Sequence, residues 1–168
     1  MNAQAFRHFY DYHFYEYRKL WKVYITSLPQ ELFIKDADYS LGSVRNHIIH
    51  LINVEEGWFT GLRKVDFAEP LDAAVEDRNV IRARWDQVVE GMQGYLANLR
   101  DEMIFEKPYP PGEDENIYTW QALLHVVNHG TDHRAQILRV LHDLGVETYP
   151  QDYAFYVYEN PLPATAAG

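Results

Sequence analysis

The most constraining feature of the sequence is the stretch 119–145, TWQALLHVVNHGTDHRAQILRVLHDLG, whose apolar residues recur at helical intervals. Within it, His125, His129 and His133 follow one another at steps of four. Residues four apart on an α-helix are rotated by only about 40°, so these imidazoles share one helical face. Two imidazoles one turn apart can bind a single metal ion and leave positions for a third ligand and for water. The stretch therefore predicts a long helix that carries part of a metal site.

Three other stretches show the same helical spacing of apolar residues. The four predicted helices cover residues 3–27, 43–62, 79–100 and 119–145. Proline, glycine and mixed charge interrupt the pattern in the connections 30–42, 64–77 and 101–118. We therefore predict an all-α fold, a four-helix bundle with long crossover connections. It is predicted to form a single domain over residues 1–160, with 161–168 as a frayed C-terminal tail.

Residues at the helix ends refine these boundaries. Ser40 or Ser43 is predicted to cap the second helix and Thr119 the fourth, whose C-terminal stop is Gly145. A short extended piece is predicted at residues 103–105.

Two other features are assigned to packing. Gly91 and Gly94 lie inside the third helix, where each costs roughly 1 kcal/mol relative to alanine, and this predicts close packing against them. The aromatic run at residues 149–158 is predicted to pack back on the bundle.

Composition argues against two classes of partner. The net charge of −10 argues against nucleic acid and against an anionic membrane surface. No stretch approaches 18 apolar residues, and the N-terminal residues lack the pattern of a secretory signal, which predicts a cytoplasmic protein. With no cysteine, the chain offers neither a thiolate metal ligand nor a thiol nucleophile.

A three-histidine site needs one ligand from outside the fourth helix. His50 is the best candidate, because it lies in the second predicted helix among isoleucine and leucine neighbours. The alternative is that it is a hydrogen-bonded core residue. His47, three residues earlier, is the next candidate or a group that touches the ligands rather than the metal. His13, in the apolar stripe of the first helix, is expected to line the same cavity.

The remaining polar candidates have more than one interpretation. His125 is either a metal ligand, a hydrogen-bonding neighbour of the ligands or a packing residue, and we favour the last two. Glu55 is a candidate carboxylate beside the ligands or a partner for Arg134 that ties the second and fourth helices together. A plain surface charge is the alternative interpretation of Glu55. His142 lies about 180° round the helix from His133 and is expected to face solvent.

Two segments, SVRNHIIHLINVEEGWF and HVVNHGTDHRAQI, resemble the DinB/YfiT-like metalloenzyme family. The resemblance covers most of the chain and is specific at His50 with Glu55, and at His125, His129 and His133 followed by Arg134. It implies a four-helix bundle, often a homodimer, with a divalent metal held by His50, His129 and His133. Zinc or nickel is the expected metal, with iron or manganese as alternatives. One departure is Ala135, where many relatives have glycine, and no consequence for the metal is expected.

The resemblance implies a metal-dependent enzyme that acts on a small molecule. Some relatives are transferases or isomerases that use a low-molecular-weight thiol, so thiol-dependent S-transfer is the most concrete expectation, followed by metal-assisted hydrolysis. Glu55, Tyr17 and His50 are the candidates for proton transfer. The alternative function is a non-catalytic stress-response protein that binds metal or forms dimers.

Overall fold

The structure is a computed structural model and describes residues 1–161. Its six helices are α1 (Ala3–Leu20), α2 (Gln30–Phe33), α3 (Val44–Arg63), α4 (Arg78–Ala97), α5 (Thr119–Asp143) and α6 (Tyr153–Glu159). No strand occurs among these residues, so the predicted all-α class is confirmed. The predicted frayed tail, residue 161 excepted, lies outside the described residues.

The four long helices form the predicted bundle. Each packs against two of the others: α3 lies against α4 and α5, and α1 completes the ring by contacting both α4 and α5. The interior is filled by apolar and aromatic side chains that recur at three- and four-residue steps, as on α3, where Ile48, Leu51 and Ile52 have 0% exposure. The closest association in the ring, that of α3 with α5, brings the histidine-bearing helices together.

Helix capping explains where the long helices begin. Ser43 caps α3, because its Oγ accepts a hydrogen bond from the backbone nitrogen of Asn46 at 3.1 Å. Ser40, the alternative cap, instead adopts a positive φ of 50°. Gly145, with φ of 84°, follows the end of α5 as predicted.

Three details of the sequence-based prediction are wrong. Thr119 is the first residue of α5 rather than its cap, because the preceding residue takes the extended conformation of a cap. Residues Asp101–Phe105 form a 3₁₀ turn where an extended piece was predicted. The first helix is not uniform: a π-helical turn at Trp21–Ile25 follows α1, with the amide of Thr26 bonded to Trp21 O at 3.0 Å.

The segment after α5 folds back along α1, as the aromatic run predicted. The ring of Tyr153 stacks on Phe9 with centroids 5.4 Å apart. Its hydroxyl lies 2.8 Å from His8 Nε2, and Tyr12 Oη donates to the carbonyl of Gln151 at 2.9 Å. These contacts make the segment 146–161 part of the packed structure.

The space around the helical glycines shows where helices pack closely against one another. No atom of the described residues lies within 4 Å of a Cβ built on Gly94, so the close packing predicted there is wrong. A Cβ on Gly91 would come closest to the guanidinium of Arg63. The tight position is Gly130 on α5, where a Cβ would overlap the ring of His13 from α1. Gly130 therefore sets the distance between these two helices.

Within the part of the chain that the structure describes, no helix is both long and apolar enough to cross a membrane.

Candidate metal centre

Two helices bring three histidines to one point. His50 lies on α3, and His129 and His133 lie one turn apart on α5, which packs against α3. All three side chains are partly exposed, at the surface where the two helices meet. The ring centroid of His133 lies 4.5 Å from that of His50 and 4.3 Å from that of His129. The histidines therefore face one another across the helix interface.

The distances between ring nitrogens suit a small divalent metal. One ring nitrogen from each of the three histidines lies within 4.8 Å of the other two. His50 Nε2 and His129 Nε2 are 3.3 Å apart. Metal–nitrogen bonds of about 2.0–2.1 Å at tetrahedral angles separate two ligand nitrogens by about 3.3–3.4 Å. The His50–His129 pair meets this spacing, so these residues could hold a metal ion.

The protonation state of the three imidazoles also suits a metal. Burial lowers the pKa of each ring, and at His50 and His129 the neighbouring imidazoles lower it further. The pKa of His129 falls to about 4. The rings are therefore neutral at pH 7 and have lone pairs free for coordination.

His47 lies directly behind the three histidines. It is fully buried, and its ring centroid is 5.8 Å from that of His133. Neither of its ring nitrogens has a hydrogen-bond partner among residues 1–161. Burial lowers its pKa to about 4, and the neighbouring His133 and His50 contribute to this shift. His47 is not part of the group whose nitrogens converge, and it lies beside one member of that group, His133.

His125 lies at the outer edge of the cluster. Its exposed ring is 5.5 Å from that of His129 and 4.8 Å from that of Trp58 on α3. The convergent group of ring nitrogens does not include it. His125 therefore packs between a candidate ligand, His129, and the aromatic ring of Trp58.

Glu55 and Arg134 are buried in the core, with exposures of 0% and 1%, so the surface-charge interpretation of Glu55 is wrong. The two do not form a direct ion pair within the described residues, because His13 stands between them. His13 Nε2 lies 2.9 Å from Glu55 Oε1, and His13 Nδ1 accepts a hydrogen bond from Arg134 Nη1 at 3.0 Å. Three side chains thus lie in a row across the bundle: the carboxylate from α3, the imidazole from α1 and the guanidinium from α5.

The same contacts fix the protonation of His13. Burial is the largest influence and lowers its pKa, although Glu55 opposes the change. Because Nδ1 accepts from Arg134, the proton of the neutral ring lies on Nε2, the nitrogen that is 2.9 Å from Glu55 Oε1. The sequence placed His13 in the cavity of the histidines. The structure places it between Glu55 and Arg134 instead.

Arg134 also reaches the segment after α5, which the sequence did not indicate. Its Nε donates to Gln151 Oε1 at 2.9 Å, and its Nη2 donates to Thr131 Oγ1 at 3.1 Å. Gln151 Nε2 in turn donates to the backbone oxygen of Thr131 at 3.0 Å. No periodic pattern marks Gln151. The only signal available was that a buried arginine requires several acceptors.

Tyr17, a candidate for proton transfer, lies in the same buried region. Its ring stacks on Trp85 with centroids 5.1 Å apart and lies 5.2 Å from His13. Burial, and then the negative charge of Glu55, raises the pKa of Tyr17 well above its usual value. The phenol is therefore protonated at neutral pH.

The remaining histidines lie away from the cluster. His142 is exposed, as predicted, with 71% of its side-chain surface accessible. His8 is half-buried against α6.

Comparison with known sequences agrees with the geometry. The sequence profile described as the DinB family matches residues 1–163. The protein named Protein DinB of Bacillus subtilis (strain 168) is 26% identical to this chain over 144 residues. The matched region covers 80% of this chain and 83% of that protein.

Proposed function

This chain belongs to the DinB family, and on that premise we propose that it is a metal-dependent enzyme that acts on a small molecule, with His50, His129 and His133 as the metal ligands. The observation that carries the proposal is the convergence of three ring nitrogens from α3 and α5, two of them 3.3 Å apart. The imidazoles are neutral, so they leave the charge of a divalent ion uncompensated.

Three protein ligands favour a catalytic site over a structural one. Structural zinc sites are usually closed by four protein ligands, whereas catalytic sites keep one position for water or substrate. A divalent transition metal, zinc or nickel by preference, would supply Lewis acidity and lower the pKa of a thiol or water at that position. Two of the three ring nitrogens that converge come from one helix turn, which holds their spacing fixed.

We propose thiol-dependent S-transfer as the reaction, with metal-assisted hydrolysis as the alternative. The chain contains no cysteine, so a reacting thiolate must come from a low-molecular-weight thiol that enters as a substrate. The partly exposed position of the three rings gives such a molecule access. The acidic net charge disfavours nucleic acid as the substrate.

Residues around the ligands have distinct proposed roles. His125, which is exposed with its ring 5.5 Å from that of His129, is the proposed contact for a bound substrate. His47 is fully buried with its ring 5.8 Å from that of His133, and we propose that it positions this ligand. Glu55 and Tyr17 remain the candidates for proton transfer, but both are fully buried beside His13. We therefore assign Glu55, with Arg134, the task of fixing the helices that carry the ligands.

Metal content, measured by mass spectrometry on untagged protein, tests the site directly. The wild type is expected to retain about one equivalent of a transition metal, as one three-histidine site requires. The His129→Ala variant should lose it. His142→Ala is the matched control, because His142 is an exposed histidine on the same helix. Equal metal content in the wild type and His129→Ala would refute the assignment of the ligands.

Activity and coordination number separate the enzyme from the non-catalytic alternative. An S-transfer assay with a thiol and an electrophile should lose its signal when His129 and His133 are both replaced by alanine, and activity that survives would exclude the metal mechanism. X-ray absorption should find three nitrogen ligands and a light-atom or sulfur ligand. Four histidine ligands, with His47 or His125 as the fourth, would indicate a closed structural site.

The homodimer implied by the family, the cytoplasmic location and the single domain over residues 1–160 are further parts of the proposal. Light scattering after size exclusion tests the first of these, and a mass of one chain (19.8 kDa) would contradict it.

A further inference from the structure

A groove runs along α3 away from the three histidines. His50, Val54, Gly57 and Gly61 follow at intervals of four, three and four, so they lie within an arc of about 60° on one helical face. At a rise of about 1.5 Å per residue, Gly57 lies about 10 Å along the helix from His50. The groove is lined by Val54, Gly57, Trp58, Gly61, Tyr109 and Asp114. It therefore begins one turn beyond a candidate metal ligand.

The floor of the groove is made of glycine. A Cβ on Gly61 would overlap the ring of Tyr109, which comes from the connection between α4 and α5. Within residues 1–161, a Cβ on Gly57 would meet only Cε2 of Phe67, at 3.4 Å. The absent side chains thus let one aromatic ring lie on the helix and leave open space beside it.

Aromatic rings connect the groove to the histidines. The Trp58 ring lies edge-on to Tyr109, with centroids 5.7 Å apart at 87°, and Tyr109 Oη donates to the carbonyl of Trp58 at 3.1 Å. The ring centroid of Trp58 also lies 4.8 Å from that of His125, and the centroid of His125 lies 5.5 Å from that of His129. The hydrogen bond and ring contacts hold this wall in place along the whole distance to the metal ligands.

Charge limits what the groove can accept. Among the described residues that line it, Asp114 carries the only charge. An anionic group would lie beside this carboxylate without a basic partner in the groove, whereas a neutral or cationic ring would meet aromatic faces. Flat rings stack on such walls at little cost in entropy, because the walls are already ordered.

We propose that this groove is a substrate subsite for a flat, uncharged or cationic ring, carried by a small molecule whose other end reaches His50, His129 and His133. The part of this proposal in which the substrate reaches the metal ligands rests on the proposed function, whereas binding of a ring in the groove does not. A ring and a metal-binding group about 10 Å apart along α3 define the expected substrate class.

Thiol probes on the cobalt-loaded protein test the subsite, since thiolate coordination to cobalt gives a charge-transfer absorption band. We expect 4-phenylbutane-1-thiol to bind at least ten-fold more tightly than butane-1-thiol. A carboxylate on the phenyl ring should abolish this advantage. Equal affinity of the first two thiols for the wild type would overturn the proposal.

Variants locate the effect. Gly57→Val should fill the groove and remove the ten-fold advantage while leaving the affinity for butane-1-thiol unchanged, because the variant does not alter the ligands. Gly94→Val is the matched control and should retain the advantage, because Gly94 is a helical glycine whose Cβ position has no described atom within 4 Å. An advantage that survives Gly57→Val would place the ring elsewhere and overturn the proposal.

A measurement without metal separates failure of the subsite from failure of the proposed function. If the protein takes up no cobalt, the proposed function fails, and the groove is then judged on metal-free protein by saturation-transfer NMR with 4-phenylbutan-1-ol. The subsite is supported if saturation is transferred to the phenyl protons of this alcohol by the wild type and Gly94→Val but not by Gly57→Val. No transfer in the wild type, or equal transfer in Gly57→Val, overturns it.

Discussion

Replacing Gly130 with alanine should destabilise the protein, although alanine is the better helix former. The new Cβ would overlap His13 Cε1 and lie 2.9 Å from His13 Nδ1. His13 cannot move aside freely, because it is fully buried and is held by Glu55 on one side and Arg134 on the other. Either α1 and α5 separate, or the imidazole leaves its two partners.

The magnitude follows from three terms. Overpacking a filled core costs about 3 kcal/mol at the upper end of the usual range, which suits a rigid ring. A weakened hydrogen bond to a charged group adds about 2 kcal/mol. Alanine in place of glycine in a helix returns about 1 kcal/mol. The free energy of unfolding should therefore fall by about 4 kcal/mol, and with an m-value of about 2 kcal/mol/M the urea midpoint should fall by about 2 M.

Urea titration followed by circular dichroism at 222 nm is the assay, on metal-free protein so that ligand binding does not contribute. Gly94→Ala is the control, because it makes the same change in a helix where none of residues 1–161 would contact the new methyl group. That variant should be stabilised by about 0.5–1 kcal/mol.

A double-mutant cycle identifies the cause. With His13 already replaced by alanine, the ring that blocks the Cβ is gone, so Gly130→Ala should then be neutral or stabilising. If Gly130→Ala behaves like Gly94→Ala in the wild-type background, the steric argument is refuted. The same holds if its cost persists without His13.

Three other substitutions test separate contacts. Burial lowers the pKa of His47 from 6.5 to about 4, so as the pH falls His47 is protonated in the unfolded chain before it is protonated in the folded one. The free energy of unfolding should therefore fall by about 3 kcal/mol between pH 6.5 and pH 4. His47→Leu should flatten this part of the stability–pH curve, and an unchanged slope would contradict the assignment. Gln151→Ala leaves Arg134 Nε without its acceptor and should lower stability by about 1–3 kcal/mol. It should also speed proteolysis after α5, and equal cleavage rates would count against this role. Tyr10→Phe removes a fully buried hydrogen bond to the carbonyl of Leu123, 3.0 Å long. The free energy of unfolding, measured by urea titration, should fall by about 1–2 kcal/mol. An unchanged value would mean that water replaces the bond.

Periodicity predicted the four long helices because each buries one face, and burial imposes the spacing of apolar residues directly. The same spacing predicted that His129 and His133 share a face. His50 could be proposed because an imidazole among isoleucines needs a polar partner, but its meeting with His129 depends on how α3 and α5 pack.

Other features leave no periodic signal. The π-helical turn at Trp21–Ile25 uses residues that suit an α-helix equally well. The 3₁₀ turn at Asp101–Phe105 is too short for its apolar pattern to differ from that of a strand. The position of His13 between Glu55 and Arg134 depends on the separation of α1 and α5, which Gly130 sets. The spacing of residues along the sequence does not give the distance between two helices.

The glycines on α3 have a consequence for how this protein can diverge. His50 and the pair Gly57 and Gly61 share one helical face, yet no residue belongs to both the candidate ligand set and the groove. A single codon change at position 61 would displace Tyr109, and one at position 57 would narrow the groove, while the three histidines stay in place. Under the proposed assignment of the groove as a substrate subsite, single substitutions at these two glycines would change which rings it accepts and would leave the candidate ligand set intact.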